Sequence, residues 1–184
     1  MRRNAYEMRP LTITDLPLMR EIEEASFSTP WPGNAYESEL TTNQLARYIG
    51  AWRGEVLLGF GGIWLMVDEA HVTTVAVAPA FRGEGLGTAL MLELLQAARS
   101  GEARVATLDV RVSNHEAQRL YARLGFKEAG RRIRYYEDSG EDAIIMTTAE
   151  LHDPRQKARE ALAEVALRNG APLPNAESFD AVAR

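Results

Sequence analysis

The stretch Val75-Ala76-Val77-Ala78-Pro79-Ala80-Phe81-Arg82-Gly83-Glu84-Gly85-Leu86-Gly87-Thr88 decides the fold. A β-branched strand closes at Ala78-Pro79, and beyond Gly85 the apolar residues Leu86, Leu90, Leu94 and Ala97 recur at helical spacing. Between them lies a glycine-rich turn. Such a turn lets backbone amides approach an anion closely, and the helix it opens adds roughly half a positive charge at its N-terminus. The stretch therefore has the form of a pyrophosphate cradle. A lone Gly-x-Gly is more often a plain strand-to-helix turn, so the rest of the chain must decide. The dinucleotide fingerprint does not fit, because the glycines fall at 83, 85 and 87 and hairpins precede the strand. A Walker loop is excluded because no Gly-Lys-Ser/Thr follows.

Working outward, Arg53-Gly54 signals a two-residue hairpin between strands at 46–52 and 55–67. A short strand at 6–11 and a helix capped at Thr14 precede them, with Leu16, Met19 and Ile22 on its apolar face. Two prolines and a glycine make residues 27–33 a loop, and a short helix follows at 34–40. Downstream, the pattern predicts a helix over 85–99 and a strand over 104–110. A capping box, Ser113 with Glu116, then opens a helix that Gly125 stops. Strands at 126–136 and 142–148 turn at Asp138-Ser139-Gly140. This order predicts an α/β fold: one mixed sheet flanked by helices.

Arg82-x-x-Gly85-x-Gly87 resembles the Q/R-x-x-G-x-G/A motif of the Gcn5-related N-acetyltransferases (GNAT). The stretch from Leu108 through Ser113-Asn114 to Leu120-Tyr121-Ala122-Arg123-Leu124-Gly125-Phe126 resembles that superfamily's second motif. Within the superfamily, three stretches resemble the RimI-type ribosomal-protein N-terminal alanine acetyltransferases: Phe27-Ser28-Thr29-Pro30-Trp31, Asp68-Glu69-Ala70, and Tyr135-Tyr136 with 141–146. The resemblance spans about residues 6–149. It implies the acetyltransferase fold, acetyl-CoA as co-substrate, no metal, and a protein N-terminus as acceptor, with the N-terminal alanine of ribosomal protein S18 foremost. A broader acetyltransferase for other N-termini, lysines or small amines is the alternative, and a non-catalytic acyl-CoA-binding module the third reading.

Acetyl transfer from a thioester to an amine needs a neutral amine, an aligned and polarised carbonyl, and a proton for the leaving thiolate. The resemblance implies that Val75, Ala76 and Val77 align the acetyl group through their backbone, and that the amides of Arg82, Gly83, Glu84, Gly85, Leu86, Gly87 and Thr88 hold the pyrophosphate. The Arg82 side chain either adds a charge contact or is solvated. Asn114 and Tyr121, two helical turns apart, share nearly one face. The resemblance makes Asn114 a cofactor contact and Tyr121 the general acid, where an arbitrary helix would hold a core aromatic. Asp109 stands where RimI proteins carry glutamate. It either removes the amine's proton, through a water because its reach is one methylene shorter, or only positions the amine. Glu69 is a stand-in. Trp31, Tyr36, Tyr135 and Tyr136 are expected to wall the peptide groove. The acidic Glu21, Glu23, Glu24, Glu37 and Glu39 are either a solvated surface or contacts for basic residues behind the substrate's first residue.

Acidity gives the choice of substrate amine a scale. An α-amino group titrates near ~7.7–8.0 and a lysine near ~10.4, a gap of about 2.5 units. A short carboxylate suits the α-amine better.

Composition agrees with one globular domain plus an appendage. The 184 residues are 46% hydrophobic and 26% charged, with net charge −5, which points away from nucleic acid and membranes. There is no cysteine, so disulfides and zinc-thiolate sites are excluded, and the three histidines lack metal-ligand spacing. No stretch resembles a signal peptide or spanning segment, so a cytoplasmic enzyme is expected. Composition changes near residue 151, dividing a domain at 1–151 from an extension at 152–184 that is expected to be dispensable for chemistry. There Ala158, Ala161, Leu162 and Val165 predict an apolar helical stripe, Asn169-Gly170 ends it, and 171–184 reads as loosely ordered.

Overall fold

Two antiparallel groups of strands join through one helical crossover. The computed structural model describes residues 6–175. Strands β1 (Glu7–Pro10), β2 (Ala46–Arg53), β3 (Val56–Leu65) and β4 (Glu69–Val77) pair antiparallel in succession. Helix α3 (Leu86–Ser100) then carries the chain to β5 (Val105–Arg111), parallel to β4. Strands β6 (Lys127–Tyr136) and β7 (Glu141–Thr147) complete a seven-stranded sheet in the order β1-β2-β3-β4-β5-β7-β6. Helices α1 (Leu16–Ser26) and α2 (Ala35–Thr41) cover one face, and α3 covers the other. The mixed sheet flanked by helices expected from the sequence is the fold observed.

Alternation along the central strands separates an apolar from a polar face. In β5, Ala106, Leu108 and Val110 are buried in the core with α3, while Thr107, Asp109 and Arg111 turn to the opposite side. In β4, Ala70 and Val72 join the same core. Gly62 then pairs with Thr74 and Ile63 with Val72, leaving Thr73 as an extra residue. This bulge resets the alternation, so Ala76 buries beneath α1 and α2 while Val75 and Val77 pack toward α3.

The parallel pairing is short. β4 and β5 are joined only from Glu69↔Val105 to Val72↔Leu108, although β4 continues to Val77 and β5 to Arg111. Beyond Val72 the strands part, and a cleft opens there.

Two caps differ from expectation. Helix α4 (His115–Arg123) is capped by Asn114, whose Oδ1 accepts from the Ala117 amide at 3.1 Å, and not by Ser113. The Ser113 amide instead donates to Glu141 Oε1 on β7, within a turn closed by the Asn114 amide on the Arg111 carbonyl. At the first helix a short 3-10 turn at Ile13–Asp15 precedes α1, and the Asp15 carboxylate accepts from the Thr12 amide, so the turn begins before Thr14.

Helix α5 (Pro154–Asn169) corrects the predicted stripe. Ala158 and Ala161 are exposed, and Leu162 and Val165 are 41% and 52% exposed, whereas Gln156, Glu160, Ala163 and Ala166 face the domain. The docking face is polar because its partners are polar. Gln156 donates to the Leu124 carbonyl, capping the end of α4, and Arg99 of α3 donates to Glu160 at 2.6 Å and to the Leu151 carbonyl. Ala163 and Ala166 allow the close approach. Of the segment expected to be loosely ordered, 176–184 lies outside the described residues. Removing one member of a buried ion pair leaves the other uncompensated, so Arg99→Ala is expected to lower unfolding stability by about 3 kcal/mol. Urea denaturation followed by circular dichroism measures this, and an unchanged midpoint would contradict the docking role.

Candidate functional site

A pocket of about 900 Å³ occupies the cleft where β4 and β5 part. Its walls are residues 75–77 of β4, the 81–88 turn, Asn114, and one side of α4, so every residue expected to hold a cofactor lies along it. Strand β4 pairs with β3 on one edge as far as Val77↔Gly59, but its β5-facing edge has no strand partner beyond Val72. On that edge the Val77 carbonyl is taken by Arg82, and the remaining backbone groups without a strand partner are left for a ligand or water. The turn works as its glycines suggest. Gly83 and Gly85 take φ of +79° and +83°, and Gly85 caps α3 in the left-handed conformation. The first turn of a 15-residue helix thus meets the pocket with amides unpaired inside the helix.

Other side chains of the turn serve the protein itself. Arg82 donates from Nε to the Val77 carbonyl at 3.1 Å and from its terminal nitrogen to Ser26 Oγ at 3.0 Å, pinning the turn to β4 and α1. Glu84 pairs with Arg53 at 3.1 Å, which offsets a negative charge at the rim of the cradle.

Tyr121 lines the same pocket, and its ring packs on Phe126 at 5.9 Å. Burial pushes its hydroxyl up to about 12, with the nearby Tyr136 adding a smaller effect. The phenol therefore keeps its proton at neutral pH.

On the face that carries α1 and α2, the polar positions of β4, β5 and β6 meet. Asp109 has a side chain 10% exposed and receives Arg132 Nε at 3.3 Å. His71 Nε2 stands 4.0 Å from the other Asp109 oxygen. His71 Nδ1 is 3.0 Å from Thr107 Oγ1, which donates to Glu69 Oε1 at 2.8 Å. Glu69, expected as a stand-in base, is thus the end of a hydrogen-bonded chain. The Tyr136 hydroxyl is pushed up to about 12 by burial, against the opposing effect of the Arg111 guanidinium stacked on its ring.

The four aromatics expected in the peptide groove separate. Tyr135 is 49% exposed and sets its ring edge-on to Tyr136, 5.2 Å away, while Arg111 stacks on Tyr136 at 3.8 Å. Trp31 is half-buried and stacks on Tyr36 at 5.1 Å. Tyr36 itself, 2% exposed, is a core residue beneath Trp31 and not part of a groove surface, because α2 turns it onto Tyr48 and Phe60. Two of the acidic residues also turn inward. Glu23 accepts from the Trp31 amide, and Glu39 accepts from Trp64 and Tyr48. Glu21, Glu24 and Glu37 remain exposed.

The 27–34 loop is tied over this face. Ser28 and Thr29 donate to Asp138, at 3.0 Å and 2.7 Å, and Arg111 grips both oxygens of the same carboxylate at 2.9 and 3.0 Å. Hydrogen bonding, first from Thr29, holds the Asp138 carboxyl well below the usual carboxylate range. Arg20 donates to the Gly33 carbonyl at the other end of the loop.

Sequence reasoning missed three contributors. Arg119 and Arg123 of α4 line the pocket and bring positive charge to it. Their i, i+4 spacing was visible, but nothing in the sequence says which side of α4 faces the cleft. Leu167, Gly170, Ala171 and Leu173 of the extension also line it, and a Cβ on Gly85 would come within 2.6 Å of Leu167. His71 is the third, since scattered histidines carry no pattern until strands pair.

A sequence model of the acetyltransferase (GNAT) family matches residues 16–126. The chain is 39% identical over 139 residues to a putative [ribosomal protein bS18]-alanine N-acetyltransferase of Bacillus subtilis, covering 76% of this chain and 92% of that one. It is 36% identical over 140 residues to the [ribosomal protein bS18]-alanine N-acetyltransferase of Escherichia coli, covering 74% and 92%. The crystal structure of the ribosomal-protein-S18-alanine N-acetyltransferase from Escherichia coli superposes with a TM-score of 0.72 at 32% identity, over 78% of this chain and 93% of that one. With the glycine turn, the parted strands and the second motif in one cleft, the chain belongs to the GNAT family of acetyltransferases.

Proposed function

We propose that this protein transfers the acetyl group of acetyl-CoA to the α-amine of a protein N-terminus, with the N-terminal alanine of ribosomal protein bS18 as the leading substrate. The observation that supports it most is the junction at the β4–β5 cleft. A pocket built on helix N-termini and arginines opens there, and β5, the strand that parts from β4, carries the Asp109 carboxylate held by Arg132. The relatives named for bS18-alanine acetylation share more than a third of their residues with this chain over 92% of their own length.

In this reading the amides of 82–88 and the α3 N-terminus bind the pyrophosphate, and Arg119 and Arg123 add charge for the coenzyme's phosphates. The open edge of β4 at 75–77 binds the pantetheine and acetyl carbonyl, and an amide near Val77 polarises that carbonyl. Asn114 acts here through the helix it caps. Asp109 faces the incoming amine and attracts it as an ammonium. Tyr121 donates to the sulfur as it becomes a thiolate. A phenol at about 12 holds its proton more tightly than a thiol of ~8.5, so its effect is a hydrogen bond that strengthens as charge develops. Trp31, Tyr135 and Tyr136 flank the entering peptide, and the wall from α5 extends the coenzyme pocket.

The test is acetylation of paired peptides, one beginning Ala-Arg with a free amine and one N-terminally blocked with an internal lysine, the modified position read by mass spectrometry. The α-amine peptide is expected to be strongly preferred, and a preference for lysine would overturn the assignment. Tyr121→Phe is expected to lower kcat by about 10²-fold or more with acetyl-CoA affinity nearly unchanged, and an unchanged kcat with chemistry rate-limiting would remove Tyr121 from the mechanism. Leu167→Asp places a charge on the pocket wall and is expected to weaken acetyl-CoA binding by about tenfold, or ~1.4 kcal/mol, in calorimetry. Unaltered affinity would show that α5 stands clear of the coenzyme.

A further inference from the structure

The proton positions in the Glu69–Thr107–His71 chain follow from donor and acceptor chemistry. A carboxylate only accepts, so the Thr107 hydroxyl, 2.8 Å from Glu69 Oε1, donates to it. Thr107 Oγ1 then offers only lone pairs to His71 Nδ1 at 3.0 Å, and the imidazole carries its hydrogen on Nδ1. In the neutral ring this leaves the lone pair on Nε2. That nitrogen faces Asp109 Oδ2 across 4.0 Å, too far for a direct hydrogen bond. Two acceptors thus stand opposite each other, and one donor bonded to both at ~2.8 Å with N–H directions roughly 90–110° apart would span about 4.0–4.6 Å. An ammonium group has that geometry and the right charge.

The surroundings keep the ring neutral. Burial is the largest influence and lowers its pKa below the ordinary 6.5. Asp109 and Glu69 act in the opposite direction, and Arg132 from β6 reinforces the lowering. From β3 the Trp64 ring lies 6.3 Å away, its own N–H committed to Glu39 of α2. Asp109 is engaged by Arg132 through its other oxygen, which leaves Oδ2 facing the ring. The His71 side chain is 25% exposed, which gives a proton a route to water.

We propose that His71 Nε2 is the proton acceptor of the reaction and that Asp109 holds the substrate ammonium against it. The inference rests on the α-amine reading above. In the step, one ammonium N–H bond breaks and its electron pair stays on nitrogen to attack the thioester carbon, while an Nε2–H bond forms to give an imidazolium. The imidazolium returns the proton to water. The second proton, lost as the amide forms, balances the departing thiolate.

The experiment has two arms. In nitrogen-15 NMR of the free protein at pH 7.5, with His71→Gln identifying the signals, His71 is expected to be protonated on Nδ1 and bare on Nε2, titrating below 6.5. The opposite tautomer, or a ring already charged at pH 7.5, would overturn the proposal whatever the substrate is. The second arm is kcat/KM on the Ala-Arg peptide from pH 6 to 9.5. Gln preserves an amide donor for Thr107 but cannot take a proton. His71→Gln is expected to fall by about 10²-fold near pH 6.5 and to come within about threefold of the unaltered protein at pH 9.5, where an amine of pKa ~7.7–8.0 is already neutral. Thr107→Val, which frees the tautomer, is expected to show the same pH-dependent loss in smaller measure. A loss equal at every pH would make His71 structural, and undiminished activity at pH 6.5 would exclude it as acceptor. If the unaltered protein acetylates no α-amine, the substrate reading fails, while the NMR arm still decides where the His71 proton resides.

Discussion

The parting of β4 from β5 after Val72 and Leu108 is the constraint on which the site depends. Four residue pairs hold these strands together, and beyond them backbone groups of both are released into a cleft. Unpaired backbone is costly when buried, so such an edge persists only where water or a ligand satisfies it. The extra residue at Thr73 contributes by twisting β4 and resetting its alternation just at the fork. Because α3 and α4 both start beside the opening, their N-termini bring positive potential to one place.

The fork also brings two chemistries together. One face of β4 and β5 is aliphatic and packs on α3, leaving the strands rigidly placed. The other face carries Glu69, His71, Thr107 and Asp109, joined across strands that pair in parallel, His71 opposite Thr107. Side chains held by packing on one side and hydrogen bonds on the other lose little freedom when a substrate arrives, and this is what pre-organisation requires. The loop tied to Asp138 and the Tyr135–Tyr136 pair frame the same face.

The extension shows how a helix outside the family match can become part of a pocket. Its contacts with the domain are an ion pair, a glutamine capping the end of α4, and two alanines, and they set Leu167 over the glycine turn. A larger residue than glycine at 85 would meet both a strained backbone and that leucine, which couples the cradle to the extension.

Properties carried by residues near one another in the chain were legible in the sequence. The β-branched strand before the glycine turn, the helical spacing after it and the Asn114–Tyr121 spacing pointed to the mixed fold and to residues that line one pocket, because backbone propensity and local motifs act over a few residues. Relations between distant residues were not legible. No local rule states that His71 pairs with Thr107, that Tyr36 turns into the core, or that α5 docks through Gln156 and Glu160 while Leu162 and Val165 stay outside. Strand register, helix rotation and the pairing of buried polar groups are settled by the packing of the whole chain. Each depends on which partner lies across the gap, and only the tertiary structure supplies that partner.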